Sequence, residues 1–220
     1  MKIFIDTANL DYINELSEFN IISGVTTNPS LMAKEGISGK KNCHKRYIDI
    51  CKLVDGPVSA EVISTDCKGM LDEAYELIAL HPNIVIKIPM IKEGVKAIYE
   101  LNKNEIKTNC TLVFSAAQAL LAAKAGATYV SPFIGRLDDI NENGLELIKS
   151  IRTIYDNYNF ETNILAASVR SIDHINNCAE IGADFATIPY SLLNQLFDHP
   201  LTTKGLEIFL SDHAKLNTQY

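Results

Sequence analysis

The sequence predicts an α/β fold, a closed (β/α)8 TIM barrel in a single domain, on three observations. Eight short apolar or β-branched runs recur along 220 residues, helical patterns separate them almost end to end, and polar or ionisable side chains end seven of the eight runs. Alternating strand and helix is the sequence form of repeated βα units around a parallel sheet. In a closed barrel, reactive groups belong at the C-terminal strand ends, because the loops there surround the mouth while the strand bodies fill the core. An open doubly wound sheet is the alternative that the same alternation allows.

In chain order the predicted strands are "KIFID" (2–6), "SGVTT" (23–27), "VSAEVI" (58–63), "IVIKI" (84–88), "IKTNCTL" (106–112), "TYVSPF" (128–133), "NILAAS" (163–168) and "DFATIP" (184–189). Apolar spacings of three and four mark helices at "DEAYELIALH" (72–81), "AAQALLAAKAG" (116–126) and "GLELIKSIRTIYDNY" (144–158). Gly126 and Gly182 follow helical runs, where a left-handed C-cap suits a residue without Cβ. Residues 29–56 read as two helices. Residues 201–217 form a C-terminal amphipathic helix that would pack across the barrel or against a neighbouring subunit. No linker or repeat interrupts the pattern, so one domain over 1–220 is expected.

Composition narrows the function classes. With 20 basic and 27 acidic residues the formal charge is −7, so no global field favours nucleic acid or an anionic membrane. Any phosphate must then be held by a few placed side chains. Cys43, Cys51, Cys67, Cys110 and Cys178 form no C-x-x-C pair and are odd in number, which fits a reducing cytoplasm. No signal-like apolar run opens the chain and no stretch of about 18 apolar residues follows, so a soluble cytoplasmic protein is expected. The five His are scattered without ligand spacing, so no metal site is indicated. "GISGKK" (36–41) lacks phosphate-loop spacing, and the basic run "KKNCHKR" (40–46) reads as a solvated helix face.

The strand ends present Asp6, then Thr26, Thr27 and Asn28, then Glu61, Lys87, Asn109 with Thr111, Ser131 with Arg136, and Ser168 with Arg170. Several have ordinary alternatives. Asp6 stands at about the right distance to cap the following helix, and "TTNPS" (26–30) is an acceptable turn and helix start. Arg136 and Arg170 would recognise a phosphate together with the Ser168 hydroxyl, or would simply be solvated. Glu61 and Lys87 interrupt apolar strands where desolvation argues against a charge, so they form either a buried ion pair or a reactive pair. Period 2 puts Val85, Lys87 and Pro89 on one face, the barrel interior, and Ile84, Ile86 and Ile88 on the helix-facing side. A Lys inside an apolar barrel has its cation disfavoured by desolvation, and a free amine attacks carbonyls. A carboxylate to move protons and a hydroxyl to hold water complete the apparatus of Schiff-base chemistry.

Together "GVTTNPS", "IVIKIP", "TNCTLVFSAAQA" (108–119), "SPFIGR" (131–136) and "AASVR" (166–170) resemble the transaldolase family in its short, fructose-6-phosphate aldolase-like form. The resemblance implies metal-free, cofactor-free transfer of a dihydroxyacetone unit between sugar phosphates in the pentose phosphate pathway. It implies that Lys87 is the Schiff-base nucleophile, that Glu61 and Thr111 hold the water that shuttles protons, and that Asp6 takes the C4 hydroxyl proton. Thr27, Asn28, Asn109, Ser131 and Phe133 would contact the substrate, and Arg136, Ser168 and Arg170 the phosphate. The related aldolases release free dihydroxyacetone and commonly carry Gln in place of Glu61 and Tyr in place of Phe133, so this chain resembles the transaldolase subtype. A sugar-phosphate-binding barrel without catalysis is the remaining alternative. Relatives commonly carry Trp in place of His213, and they assemble as pentamers or decamers, so a homo-oligomer is expected.

Overall fold

Eight parallel strands close on themselves in the computed structural model, which describes residues 1–217. They are β1 (Lys2–Asp6), β2 (Ile22–Thr26), β3 (Val58–Glu61), β4 (Ile84–Pro89), β5 (Thr108–Val113), β6 (Tyr129–Pro132), β7 (Asn163–Ala166) and β8 (Phe185–Ile188). Each pairs with the next, and β8 returns to β1 through Lys2 opposite Phe185, which excludes the open sheet. The predicted strands lie within two residues of these limits.

The connections are α1 (Leu10–Glu18), α2 (Pro29–Lys34), α3 (Lys40–Leu53), α4 (Cys67–Ile78), α5 (Lys92–Lys103), α6 (Ala116–Lys124), α7 (Ile134–Asp138), α8 (Gly144–Tyr158), α9 (Ile172–Ile181), α10 (Tyr190–Gln195) and α11 (Pro200–Asn217). Segment 29–56 does hold two helices, and α8 has the predicted limits. Helix α4 starts five residues before the apolar periodicity does, because Asp66 caps it by accepting from the Gly69 amide. Gly126 and Gly182 are left-handed, with φ of 86° and 92°. Asp6 does not cap α1; the Asn9 side chain does, accepting from the Tyr12 amide at 3.0 Å. Asp6 is thereby free for other work. The 40–46 run is more than a solvated face, since Arg46 Nη1 donates to the Ala8 carbonyl at 2.6 Å and Lys40 pairs with Glu76.

Strand pleating divides the interior into two layers. Ile84, Ile86 and Ile88 pack into the large core between barrel and helices. Val85 instead joins Phe4, Tyr129 and Leu165, with Phe185 against them, as an apolar plug inside the barrel. The Phe4 and Phe185 rings meet edge-on at 5.0 Å between centroids, and Tyr129 meets Phe185 at 5.4 Å. Burying such rings stabilises by about 1.5–3 kcal/mol each, so the lower barrel is a firm floor. Gly24 is required beside it, because a Cβ there would lie 2.8 Å from the Phe4 ring and 2.6 Å from the Pro57 carbonyl. Two residues further along the same inward faces come Asp6, Lys87, Ser131, Ala167 and Thr187. The floor therefore hands over directly to a polar layer at the mouth.

Candidate active site

Lys87 emerges from this floor only 5% exposed. Register places Glu61, Lys87 and Asn109 side by side on β3, β4 and β5. Lys87 Nζ lies 3.0 Å from Glu61 Oε2 and donates to the Thr27 carbonyl at 3.0 Å. The amine is thus held by two acceptors from β3 and the β2–α2 loop. Thr27 serves through its backbone, for its hydroxyl is turned away to donate to the Ser59 carbonyl at 2.8 Å. The ion pair makes Glu61 the nearest recipient for a Lys87 proton.

Asp6 stands opposite Thr26 in the β1–β2 register. Its Oδ1 accepts from the Thr26 hydroxyl at 2.6 Å, and that hydroxyl is 2.5 Å from Thr187 Oγ1. Burial raises the Asp6 carboxyl above its ordinary value, while the Lys87 charge, the Thr26 hydrogen bond and, more weakly, the Lys34 charge act against that rise. A carboxylate raised by desolvation is a stronger base than one in water.

A second chain of bonds runs across the opposite wall. Ser131 Oγ donates to Asn109 Oδ1 at 2.8 Å, and Asn109 Nδ2 donates to Ser59 Oγ at 3.2 Å. This fixes which edge of the Asn109 amide faces which neighbour. Thr111 is fully buried, and among the described residues its hydroxyl has no hydrogen-bond partner. Leaving a buried hydroxyl unpaired costs about 1–3 kcal/mol. Leu112 follows it with φ of 59°, at a register shift in the β5–β6 ladder. A left-handed Leu is strained by about 1–3 kcal/mol, and a bulge of this kind re-aims the residues beside it. Ser168 is likewise left-handed, with φ of 57°, whereas Asn20, Glu105, Asn141 and Asn159 take such values just after helix ends. Among the described residues, the two strained ones that do not follow helices both adjoin the site.

A cavity of about 170 Å³ opens over this layer, lined by Asp6, Thr26, Asn28, Lys87, Ser131, Phe133, Arg136, Ala167, Ser168 and Thr187. Asn28 caps α2 by accepting from the Leu31 amide at 2.9 Å and lines the cavity as well. Phe133 forms one wall and meets Phe114 at 5.8 Å between ring centroids. Arg136 and Ser168 both line the cavity, brought there by the packing of the β6–α7 and β7–α9 connections. That packing depends on Gly135, where a Cβ would fall 2.4 Å from the Ser168 carbonyl that accepts the Gly135 amide. Arg170 is placed differently. Its guanidinium grips Asp139 with both terminal nitrogens, at 2.7 Å for Nη2 to Oδ2, and it does not line this cavity.

The structure thus brings Asp6, Asn28, Lys87, Ser131, Phe133, Arg136 and Ser168 around one cavity, with Glu61, Thr27 and Asn109 bonded to them from behind and Thr111 two residues further along β5. Sequence reasoning missed Ser59 and Thr187. Thr187 lies two residues after the plug residue Phe185, and Ser59 two before Glu61, so the period-2 signal was present once the inward face was known.

The family model described as transaldolase/fructose-6-phosphate aldolase matches residues 3–219. The chain belongs to the transaldolase/fructose-6-phosphate aldolase family. Among curated relatives of this family, a probable transaldolase of Cytophaga hutchinsonii is 63% identical over 217 residues, covering 99% of this chain and 100% of its own. A probable transaldolase of Parabacteroides distasonis is 60% identical with the same coverage. Among solved structures, inosine 5' monophosphate dehydrogenase from Legionella pneumophila superposes with a TM-score of 0.57 at 17% identity, over 86% of this chain and 58% of that one. That likeness concerns the barrel fold alone.

Proposed function

We propose that the protein is a transaldolase working through a Lys87 Schiff base. The observation that carries this reading is Lys87 held between Glu61 and the Thr27 carbonyl, facing a cavity that also contains Asp6 and Arg136. Lys87 passes a proton to Glu61, and the free amine attacks the ketone carbon of fructose 6-phosphate or sedoheptulose 7-phosphate. The carbinolamine oxygen then leaves as water, taking the Glu61 proton, and the nitrogen lone pair forms the iminium. Thr111, with its unpaired hydroxyl, is the partner that holds this water. Asp6 removes the C4 hydroxyl proton as the C3–C4 bond breaks, and the bonding electrons pass into the iminium to give an enamine. The aldose phosphate departs, and addition to glyceraldehyde 3-phosphate or erythrose 4-phosphate reverses the steps.

Asn28, Asn109 and Ser131 suit the hydroxyls of the three-carbon fragment, and Arg136 with Ser168 suits the phosphate at the opposite end. Arg170 would join them by exchanging its Asp139 contact for phosphate. Glu61 and Phe133 support transfer over release, since neither is the residue common in the dihydroxyacetone-releasing aldolases. Incubation with fructose 6-phosphate tests this directly. Sedoheptulose 7-phosphate is expected only when erythrose 4-phosphate is present, and catalytic release of free dihydroxyacetone would establish the aldolase reading instead.

The setting proposed is the cytoplasmic pentose phosphate pathway. No helix among the described residues is long and apolar enough to cross a membrane. Helix α11 supports a homo-oligomer, pentameric or decameric, because Leu201, Leu206, Phe209, Leu210 and Leu216 on it are each 57–73% exposed. Rows of exposed large apolar side chains mark interaction surfaces. Leu206→Asp with Phe209→Glu is expected to lower the mass measured by light scattering to that of a smaller species; an unchanged mass would remove α11 from the interface.

A further inference from the structure

Lys87 and its ion-pair partner Glu61 open on two different cavities. The front cavity described above holds the substrate-facing groups, yet among the described residues Glu61 does not line it. Glu61 instead borders a second cavity of about 420 Å³, enclosed by α2, α3, α4 and the end of β3. Its inner wall carries Glu61 and the buried Tyr47, Cys43 lies along it, and the Lys40–Glu76 ion pair forms part of its rim. Lys40 and Glu76 side chains are 64% and 48% exposed, so the space reaches from the surface to the catalytic carboxylate. A water needs only about 10–15 Å³ of such volume, and two to four polar partners. Glu61, Tyr47, Glu73, His44 and Ser38 supply those partners along the wall.

We infer that this side cavity is the route by which water and protons reach and leave Glu61 while sugar phosphate fills the front cavity. The inference rests on the Lys87 Schiff-base reading and specifies its water traffic. Imine formation expels one water: the carbinolamine C–O bond breaks, its oxygen takes the Glu61 proton, and the nitrogen lone pair makes the C=N bond. Hydrolysis consumes one water: its oxygen bonds to the imine carbon, the C=N electrons return to nitrogen, and Glu61 accepts the proton. A phosphorylated six- or seven-carbon sugar spanning Lys87 to Arg136 blocks the front, whereas the side cavity meets Glu61 from behind. The enamine carbon faces the front, so water delivered at Glu61 stays apart from it.

The test plugs the side cavity chemically in the folded enzyme. In a Cys67→Ala background, Cys43 is labelled with methyl methanethiosulfonate or with a bulky benzyl analogue; burial pushes the Cys110 and Cys178 thiols up to about 12 and the Cys51 thiol to about 11, which keeps them slow. The readouts are exchange of oxygen-18 from water into C2 of fructose 6-phosphate and the equilibrium fraction of Lys87 trapped by borohydride. The bulky label is expected to slow exchange by about tenfold or more and leave the trapped fraction unchanged, because a blocked route slows formation and hydrolysis alike. Cys43→Trp, which fills the same space, should repeat the effect, and the methyl label should not. Unchanged exchange under the bulky label overturns the inference, as does a trapped fraction that falls with the rate, which would mean a distorted site. A Cys43 that resists even the methyl reagent would show a closed cavity and overturns it too. Absence of any Lys87 adduct in unlabelled enzyme would instead remove the Schiff-base reading, and this inference with it.

Discussion

Lys87→Met abolishes turnover of fructose 6-phosphate and the borohydride-trapped adduct together, a loss of roughly 10⁵–10⁶-fold, the scale on which removal of a covalent nucleophile acts. Met keeps the length and apolar body of the side chain, so the plug beneath it is undisturbed. The ammonium is what disappears, and with it the partner of Glu61 at 3.0 Å. Breaking a buried ion pair by removing one member costs about 3–5 kcal/mol when the other charge is sealed in. Here the Glu61 side chain retains 15% exposure and borders the 420 Å³ cavity, so hydration brings the cost to or below the low end of that range. Denaturant unfolding should therefore show Lys87→Met less stable than the parent, and Lys87→Met with Glu61→Gln should recover most of the difference without recovering activity. Residual activity above background in the single variant would mean that another nucleophile carries the chemistry.

The sequence disclosed the barrel because its physical signals are local. Eight apolar runs, each bounded by helical periodicity, leave few ways to bury both faces of every strand. Lys87 and Glu61 were legible for the same reason, since a charge in "IVIKIP" or "VSAEV" violates strand propensity and the violation can be seen in a window of six residues. What was not legible depends on contacts between segments far apart in the chain. Thr187 lines the cavity beside the Thr26 hydroxyl, 161 positions away, and Ser59 enters the site through Asn109. Arg170 read as a phosphate ligand from its place after Ser168, yet its fork is occupied by Asp139, 31 residues earlier, on the short helical turn that the strand and helix periods did not reveal. The side cavity was invisible too, because its walls come from four elements and only their packing brings stretches such as "KKNCHKR" and "VSAEV" around one space.

Asp6→Asn is expected to separate the two halves of the reaction. On the proposed mechanism imine formation uses Lys87, Glu61 and Thr111; Asp6 is coupled to Lys87 through charge alone, with no hydrogen bond or ion pair between them among the described residues, so borohydride should still trap the fructose 6-phosphate adduct on Lys87. Asn preserves the volume and an oxygen for the Thr26 hydroxyl, which donates to Asp6 at 2.6 Å, so folding is retained. The amide cannot accept the C4 hydroxyl proton, and C3–C4 cleavage should fall by about 10²–10⁴-fold, the contribution of a positioned general base. Release of glyceraldehyde 3-phosphate in a single turnover measures the loss. The parent enzyme adds a test by pH. Burial raises Asp6, so as pH falls the carboxylate is protonated, and cleavage lost, at a pH above the ordinary aspartate value of 3.8. Thr26→Val removes a hydrogen bond that favours the charged form, so the acid limb should move to still higher pH. A limb that moves down, or not at all, in that variant while Asp6→Asn still cleaves would show that the base lies elsewhere in the polar layer.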